Sequence, residues 1–305
     1  MATIFLTGAA GGFGRLITLA VRRQGHRVIG TVRDLAGRNA AAAAELRAAG
    51  AEILEMDVTD DASVNAAVDA AIAHAGTIDV VVNNAGLGVI GVQEAFTAAD
   101  LQRVFDINVV GAHRVTRAAT PHLRANGRGL VLFISSLLGR IAVPFYGPYN
   151  ASKWALEGLA ENYSLELSGF GIDVAIVEPG GFPTSFIPNL LTPGDRARVA
   201  ALQPLSDTAA AFLRGFEQSL AAAPSQDPAL VGEAIVGLVE AAPGTRPFRT
   251  IVDTIGMGAA VGPYNAHLAT LTSGLFGHLG LGGLLARRGA DAGAPGAAGP
   301  APAVA

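Results

Sequence analysis

From Ala2 to Glu178, short apolar runs alternate with amphipathic ones, a rhythm that predicts strands interleaved with helices. Residues 2–6 make an apolar strand ending in Thr7-Gly8. Arg15 to Arg23 follow as a helix with Leu16, Leu19, Ala20 and Val21 on its apolar side. His26 to Val32 is a second β-branched run, Ala40 to Ala49 an Ala-rich helix, and Glu52 to Met56 a third strand closing on Asp57-Val58. The pattern continues through a helix at Val64 to Ala75, a strand at Ile78 to Val82 and one helix over Leu101 to Ala125. The strand Gly129 to Ile134, a helix from Pro148 to Leu167 and the strand Asp173 to Glu178 complete it. Strands and helices in this order predict six or seven parallel strands in a sheet covered by helices on both faces.

Beyond Glu178 the rhythm breaks. Residues 185–229 carry Pro at 188, 193, 204, 224 and 228 around one or two helices, as an insertion placed to cover a ligand would. Pro228 to Glu240 resumes a helix, and Thr250 to Ile255 is the last candidate strand. Thr254 to Ala286 contains no Asp, Glu, Lys or Arg, and Leu268 to Ala286 is long enough to span a membrane. Five Gly within 274–283, with Thr270, Thr272, Ser273 and His278, argue instead for a subunit-contact or substrate-covering segment. Ala, Gly and Pro dominate 289–305, which reads as a disordered tail. The expected organisation is a single domain over 1–288, with its insertion at 185–229 and an apolar extension at 256–288.

Composition narrows the chemistry. Half the residues are apolar and 15% are charged, enough to bury a large core. A net charge of −4 with scattered Arg gives nucleic acid no footing. The absence of Cys excludes disulfides, thiolate metal sites and cysteine nucleophiles, and no metal is assigned. The N-terminus lacks a basic segment followed by a long apolar stretch, so the expected location is cytoplasmic. Among the 21 basic residues, Lys153 is the sole lysine.

Two segments carry candidate chemistry. Thr7-Gly8-Ala9-Ala10-Gly11-Gly12-Phe13-Gly14 lies between the first strand and helix, where glycines allow a tight turn and a helix N-terminus attracts a pyrophosphate. The bland alternative is a Gly-rich turn without a ligand. Gly8, Gly12 and Gly14 fit one glycine spacing and Gly8, Gly11 and Gly14 another. The second segment, Tyr149-Asn150-Ala151-Ser152-Lys153, puts a phenol and an ammonium one helical turn apart on one face. Such pairs on exposed helices are commonplace, but a sole lysine four residues after one of only 4 tyrosines is a rare coincidence. It points to a task that needs a compact ammonium rather than a planar guanidinium. An ammonium beside a phenol is expected to lower its ordinary value of ~10, so that Tyr149 exchanges a proton with a substrate oxygen.

With Asn83-Asn84-Ala85-Gly86 after the fourth strand, these segments resemble the short-chain dehydrogenase/reductase family over about residues 3–255. The resemblance implies a doubly wound Rossmann fold and favours the Gly8, Gly12, Gly14 spacing of its reductase-type members. It implies a catalytic tetrad of Asn108, Ser136, Tyr149 and Lys153. Tyr149 would be general acid or base, Ser136 a donor to the carbonyl oxygen, Lys153 the cation beside the nicotinamide ribose, and Asn108 the holder of a relay water. Strand alternation turns the neighbouring Ser135 to the other side. The implied dinucleotide contacts are Gly8, Gly12, Phe13, Gly14, Arg33, Asp57, Val58, Asn83, Ala85, Gly86, Tyr149, Lys153, Pro179, Gly180 and Thr184. At the end of the second strand Val32 stands where an NAD enzyme needs a carboxylate, and Arg33 is placed for a 2′-phosphate, so NADP(H) is the expected cofactor. Phe145, Tyr146, Phe182, Phe186, Ile187, Leu190 and Leu191 offer an apolar lining. The expected substrate is therefore a hydrophobic ketone, aldehyde or secondary alcohol. The competing function is a dinucleotide sensor without turnover. The resemblance also implies a homodimer or homotetramer.

Overall fold

The structure is a computed structural model that describes residues 1–285; the predicted tail at 289–305 lies outside the described residues. Seven parallel strands form one sheet in the order β3-β2-β1-β4-β5-β6-β7. They are β1 (Thr3–Thr7), β2 (Arg27–Val32), β3 (Glu52–Glu55), β4 (Val80–Asn83), β5 (Gly129–Ile134), β6 (Ile172–Pro179) and β7 (Arg249–Val252). Chain order reverses direction at β1 and β4, and that reversal opens a crevice at the carboxyl ends of the strands, where ligands of such sheets bind.

The central strands are buried and mostly apolar because both faces are covered. Along β1, Ile4 and Leu6 face one layer while Phe5 faces the other. The first layer consists of α1 (Gly12–Arg23), α2 (Ala40–Ala48) and α9 (Ala229–Glu240), through Ile17, Val21, Leu46 and Ile235. The second is α3 (Asp61–Ala75), α5 (Gly111–Ala125) and α6 (Gly147–Leu167), through Val64, Val115, Leu123 and Leu156. Local signals set the ends of these helices. Asp60 accepts bonds from the N–H groups of Ala62 and Ser63 to start α3, and Gly76 ends it in the left-handed region. A reciprocal Thr97–Asp100 capping box starts α4 (Ala98–Phe105).

The helix predicted over Leu101 to Ala125 is interrupted. A π-helical turn, Asp106–Val110, joins α4 to α5 and carries Asn108 inward. The extra residue per turn is stabilised by Asn108, whose amide accepts from Leu87 N–H at 2.7 Å and donates to the Leu87 carbonyl and Ser152 Oγ at 2.9 Å each. Within the insertion lie α7 (Arg196–Ala201) and α8 (Leu205–Ala221), and Leu191 bridges back to Val89 beside β4. The apolar extension forms α10 (Val261–His278), in which only Val261 is buried. Among the described residues no helix is long and apolar enough to cross a membrane.

Candidate active site

The glycine turn is shaped by close approaches. Gly8 has φ +66°, and a methyl group on Gly14 would lie 2.2 Å from the Gly8 carbonyl oxygen. One on Gly12 would lie 2.6 Å from Thr184 Cβ, so the insertion begins in contact with the turn. Gly11 is less confined, its added methyl 3.3 Å from the Gly8 oxygen. Helix α1 is then entered through Gly11 at its N-cap, with no side-chain cap and no acidic residue in its first turn, leaving amide N–H groups and the positive dipole end for an anion.

Two residues outside the predicted set hold this turn in place. Thr7 Oγ1 accepts from the N–H groups of Asn84 and Ala85 at 3.0 and 2.9 Å, and the Asn84 amide donates to the carbonyls of Thr7 and Gly8. Asn83 instead follows strand alternation to the opposite face, where it is buried and donates to Thr116 Oγ1 of α5. At the end of β2, Val32 is buried and Arg33 is exposed, its guanidinium 3.8 Å from the Asp57 carboxylate. Burial alone would raise the Asp57 carboxyl. Bonds from Thr59 and the charges of Arg33 and Arg114 outweigh it and hold Asp57 below the usual range. Asp34 turns into its own loop, accepting from Arg38 N–H at 3.1 Å. Val58 packs on Gly111.

Ser136, Tyr149 and Lys153 meet in the wall of a cavity of about 350 Å³, with Phe13, Gly86, Pro179, Gly180 and Thr184 along the same wall. Ser136 Oγ accepts from Leu138 N–H at 3.1 Å, while the buried hydroxyl of Ser135 turns toward Gly139 and Glu157 and has no partner. Lys153 lies over the Tyr149 ring at 5.5 Å and donates to the Ile134 carbonyl at 2.7 Å. Asn108 stands behind them, bonded to Ser152, whose hydroxyl donates to the Tyr149 carbonyl. The Asn108 amide hydrogens are thus spent on bracing the loop after β4 and α6.

The electrostatics depart from expectation. Burial pushes the Tyr149 phenol well above its usual range; hydrogen bonding to Ser136 pulls the other way, and Tyr146 adds to the rise. The ammonium does not reverse this, because it is directed at a backbone carbonyl and the ring face rather than at the hydroxyl. Burial likewise pulls Lys153 down to about 8, against the charge of Glu157.

Of the predicted lining, Tyr146, Phe182, Phe186, Ile187 and Leu190 face the cavity. Phe145 packs on Phe212, and Leu191 is spent on its bridge to Val89. Phe212 and Phe216 of α8, Leu138, Val143 and Met257 complete the wall. Only their helical or apolar spacing was visible in the sequence, and ordinary core residues share it.

The glycine cradle, the uncapped start of α1 and Lys153 beside Tyr149 fit a nicotinamide dinucleotide. A family model described as short chain dehydrogenase matches residues 2–192. A 3-ketodihydrosphingosine reductase of Bacteroides thetaiotaomicron is 37% identical over 186 residues, 61% of this chain and 66% of that protein. The chain thus spans just under two thirds of that relative's length. A mouse (Mus musculus) 17-beta-hydroxysteroid dehydrogenase type 1 is 35% identical over 255 residues, 81% of this chain and 73% of that one. Among solved structures, a short-chain dehydrogenase from Streptomyces avermitilis superposes with a TM-score of 0.73 at 31% identity, covering 92% of this chain and 98% of its own. One from Burkholderia phymatum in complex with NAD gives 0.71 at 26% identity, covering 89% and 95%. An actinorhodin polyketide ketoreductase with NADPH gives 0.70 at 26%, covering 84% and 97%. Because the family model spans well over half of the sequence and takes in the glycine turn, Ser136, Tyr149 and Lys153, the chain belongs to the short chain dehydrogenase family.

Proposed function

We propose that this chain is an NADP(H)-dependent oxidoreductase acting on an apolar ketone or aldehyde, or on the corresponding secondary alcohol. The observation that carries the reading is the meeting of Ser136, Tyr149 and Lys153 in the wall of a cavity lined mostly by aromatic and aliphatic side chains. The bound dinucleotide supplies or accepts the hydride. The uncapped N-terminus of α1 and the glycine turn would hold its pyrophosphate, and Lys153 would stand beside its ribose. Ser136 donates to the carbonyl oxygen as charge develops there, and Tyr149 delivers its hydroxyl proton to that oxygen to complete the alcohol. In oxidation the same phenolic oxygen takes the proton back. The aromatic walls from Phe186, Phe212 and Phe216 exclude water and favour an apolar substrate body, consistent with the sphingoid and steroid names among the relatives.

NADP(H) rather than NAD(H) is supported by Val32 standing where a ribose-binding carboxylate would be needed, by Asp34 being occupied in its own loop, and by the exposed Arg33. The test is dinucleotide consumption across a panel of apolar ketones and aldehydes, run with NADPH and with NADH. Turnover with NADPH is the expected result. Tight NADPH binding with no turnover on any carbonyl would overturn catalysis and leave a sensor.

A further inference from the structure

Behind the catalytic helix lies a buried cluster of charges that the proposed proton transfer does not use. Glu157 and Glu161 of α6, Glu178 at the end of β6, Arg140 after Ser136 and Arg249 of β7 are joined in one network. Arg140 pairs with Glu157 and Glu161 and stands 3.4 Å from Glu178. Arg249 pairs with Glu161 and lies 3.0 Å from Glu157 and 3.5 Å from Glu178. Asn265 of α10 donates to the second oxygen of Glu178 at 2.7 Å. Three carboxylates face two guanidiniums, so one negative charge is left over.

That surplus has two places to go. A proton can settle on Glu178, which burial and the neighbouring Glu157 push up to about 7. Otherwise a third cation must balance it. The nearest candidate is Lys153, one turn before Glu157 on the same face of α6, 5% exposed where Glu157 is 1% exposed. Both guanidiniums approach Glu157 through Oε2, while its Oε1 has no hydrogen-bond partner. That free oxygen faces the space above Gly139, together with the Ser135 hydroxyl, and Ser135 follows the Ile134 carbonyl that receives the ammonium. We propose that Glu157 is a positioning residue for the reaction: its unpaired carboxylate oxygen is the counter-charge that keeps Lys153 protonated in a site which would otherwise neutralise it. The functional meaning rests on the reading above, in which Lys153 serves as a cation; the electrostatic statement does not.

Around Lys153, Tyr149 and Glu157 lie on its own helix and the Ile134 carbonyl at the end of β5 takes its hydrogen bond, while Arg140 after β5, Glu178 on β6 and Arg249 on β7 are linked to it through Glu157 and one another; Asn84 and Asn108 are uncharged. Because Lys153 is the sole lysine, a protein labelled with ¹³C-lysine gives one side-chain resonance whose titration needs neither cofactor nor substrate. In the dinucleotide-free wild type that resonance is expected to titrate at about 8. Glu157→Gln should move it down by about one unit, because the carboxylate one helical turn away that favours the ammonium is gone. Arg249→Gln, which enlarges the surplus, should move it up. These opposite signs separate a counter-charge from a general loss of packing, which has no reason to move the two variants in opposite directions. Should Glu157→Gln not fold, Arg249→Gln alone decides. An unmoved or downward midpoint in Arg249→Gln, or an unmoved one in Glu157→Gln, overturns the proposal. Failure of the proposed activity with the titration as expected would remove the oxidoreductase reading and leave the electrostatic link standing.

Discussion

Tyr149 keeps its proton in the folded chain because its phenol is buried with the Phe186 ring packed 5.6 Å away, where a phenolate would lose its water. In the proposed reaction the resting site is therefore set for the acid half, with the proton already on the atom that would give it up. Tyr149→Phe should lower turnover about 10²–10⁴-fold while NADPH affinity, read by fluorescence titration, stays at the wild-type value. An active Phe variant would remove Tyr149 from the proton path. Lys153→Arg keeps the charge but forces a planar fork into a buried site fitted to one amine donating to the Ile134 carbonyl. It should lose most activity, and full activity would show that a compact ammonium is not needed. At the rim, Arg33→Ala removes the guanidinium expected to pair with a 2′-phosphate. The ratio of kcat/KM with NADPH to that with NADH should fall by about 10–150-fold, and an unchanged ratio would return Arg33 to a partner of Asp57 alone.

Among the elements, the glycine turn confines its glycines unequally. Gly14→Ala would drive a methyl group to 2.2 Å from the Gly8 oxygen and 2.9 Å from Ala9 Cα, both main-chain positions that cannot yield without deforming the turn. Turnover with NADPH should fall about 10²-fold, the rate cost of misplacing a reacting group by about 1 Å. Gly11→Ala meets the same oxygen at 3.3 Å and should stay far closer to wild type; equal losses in the two variants would argue against the contact. The strands were legible because a sheet buried on both faces writes itself as nearly continuous apolar runs. The π turn at Asp106–Val110 was not, since Ile107, Val109 and Val110 continue a helical pattern and only the bonds of Asn108 to Leu87 reveal the extra residue. Tyr149 and Lys153 could be located by their spacing and Ser136 by the family resemblance, whereas the paired Asn83 and Asn84 could not be told apart by their letters. Strand alternation sends the first to Thr116 and the end of β4 leaves the second free to hold the glycine turn.

Across the whole molecule, the same charge network that backs the catalytic helix ties together β6, β7, α6 and, through Asn265, α10. Its effect on folding has a definite sign. Glu178 rises from 4.5 to about 7 in the folded chain, through burial first and the charge of Glu157 next. Between those values the folded chain holds a proton that the unfolded chain has released, so stability falls as pH climbs through that window and levels off above it. Asp57 and Asp100, held below 3.8, act at lower pH, and Lys153, between about 8 and 10.5, acts at higher pH, so neither obscures the window. Glu178→Gln removes the titration and keeps the side chain's size, and its amide can donate to the Asn265 Oδ1 that now lacks a partner. Relative to this variant, the wild type should lose at most about 3 kcal/mol of unfolding free energy between about pH 5 and pH 7.5, measured by urea denaturation at a series of pH values. A difference that stays flat across the window, or that grows in the wild type's favour as pH rises, would mean that Glu178 is ionised in the folded chain and that the network carries its surplus charge elsewhere.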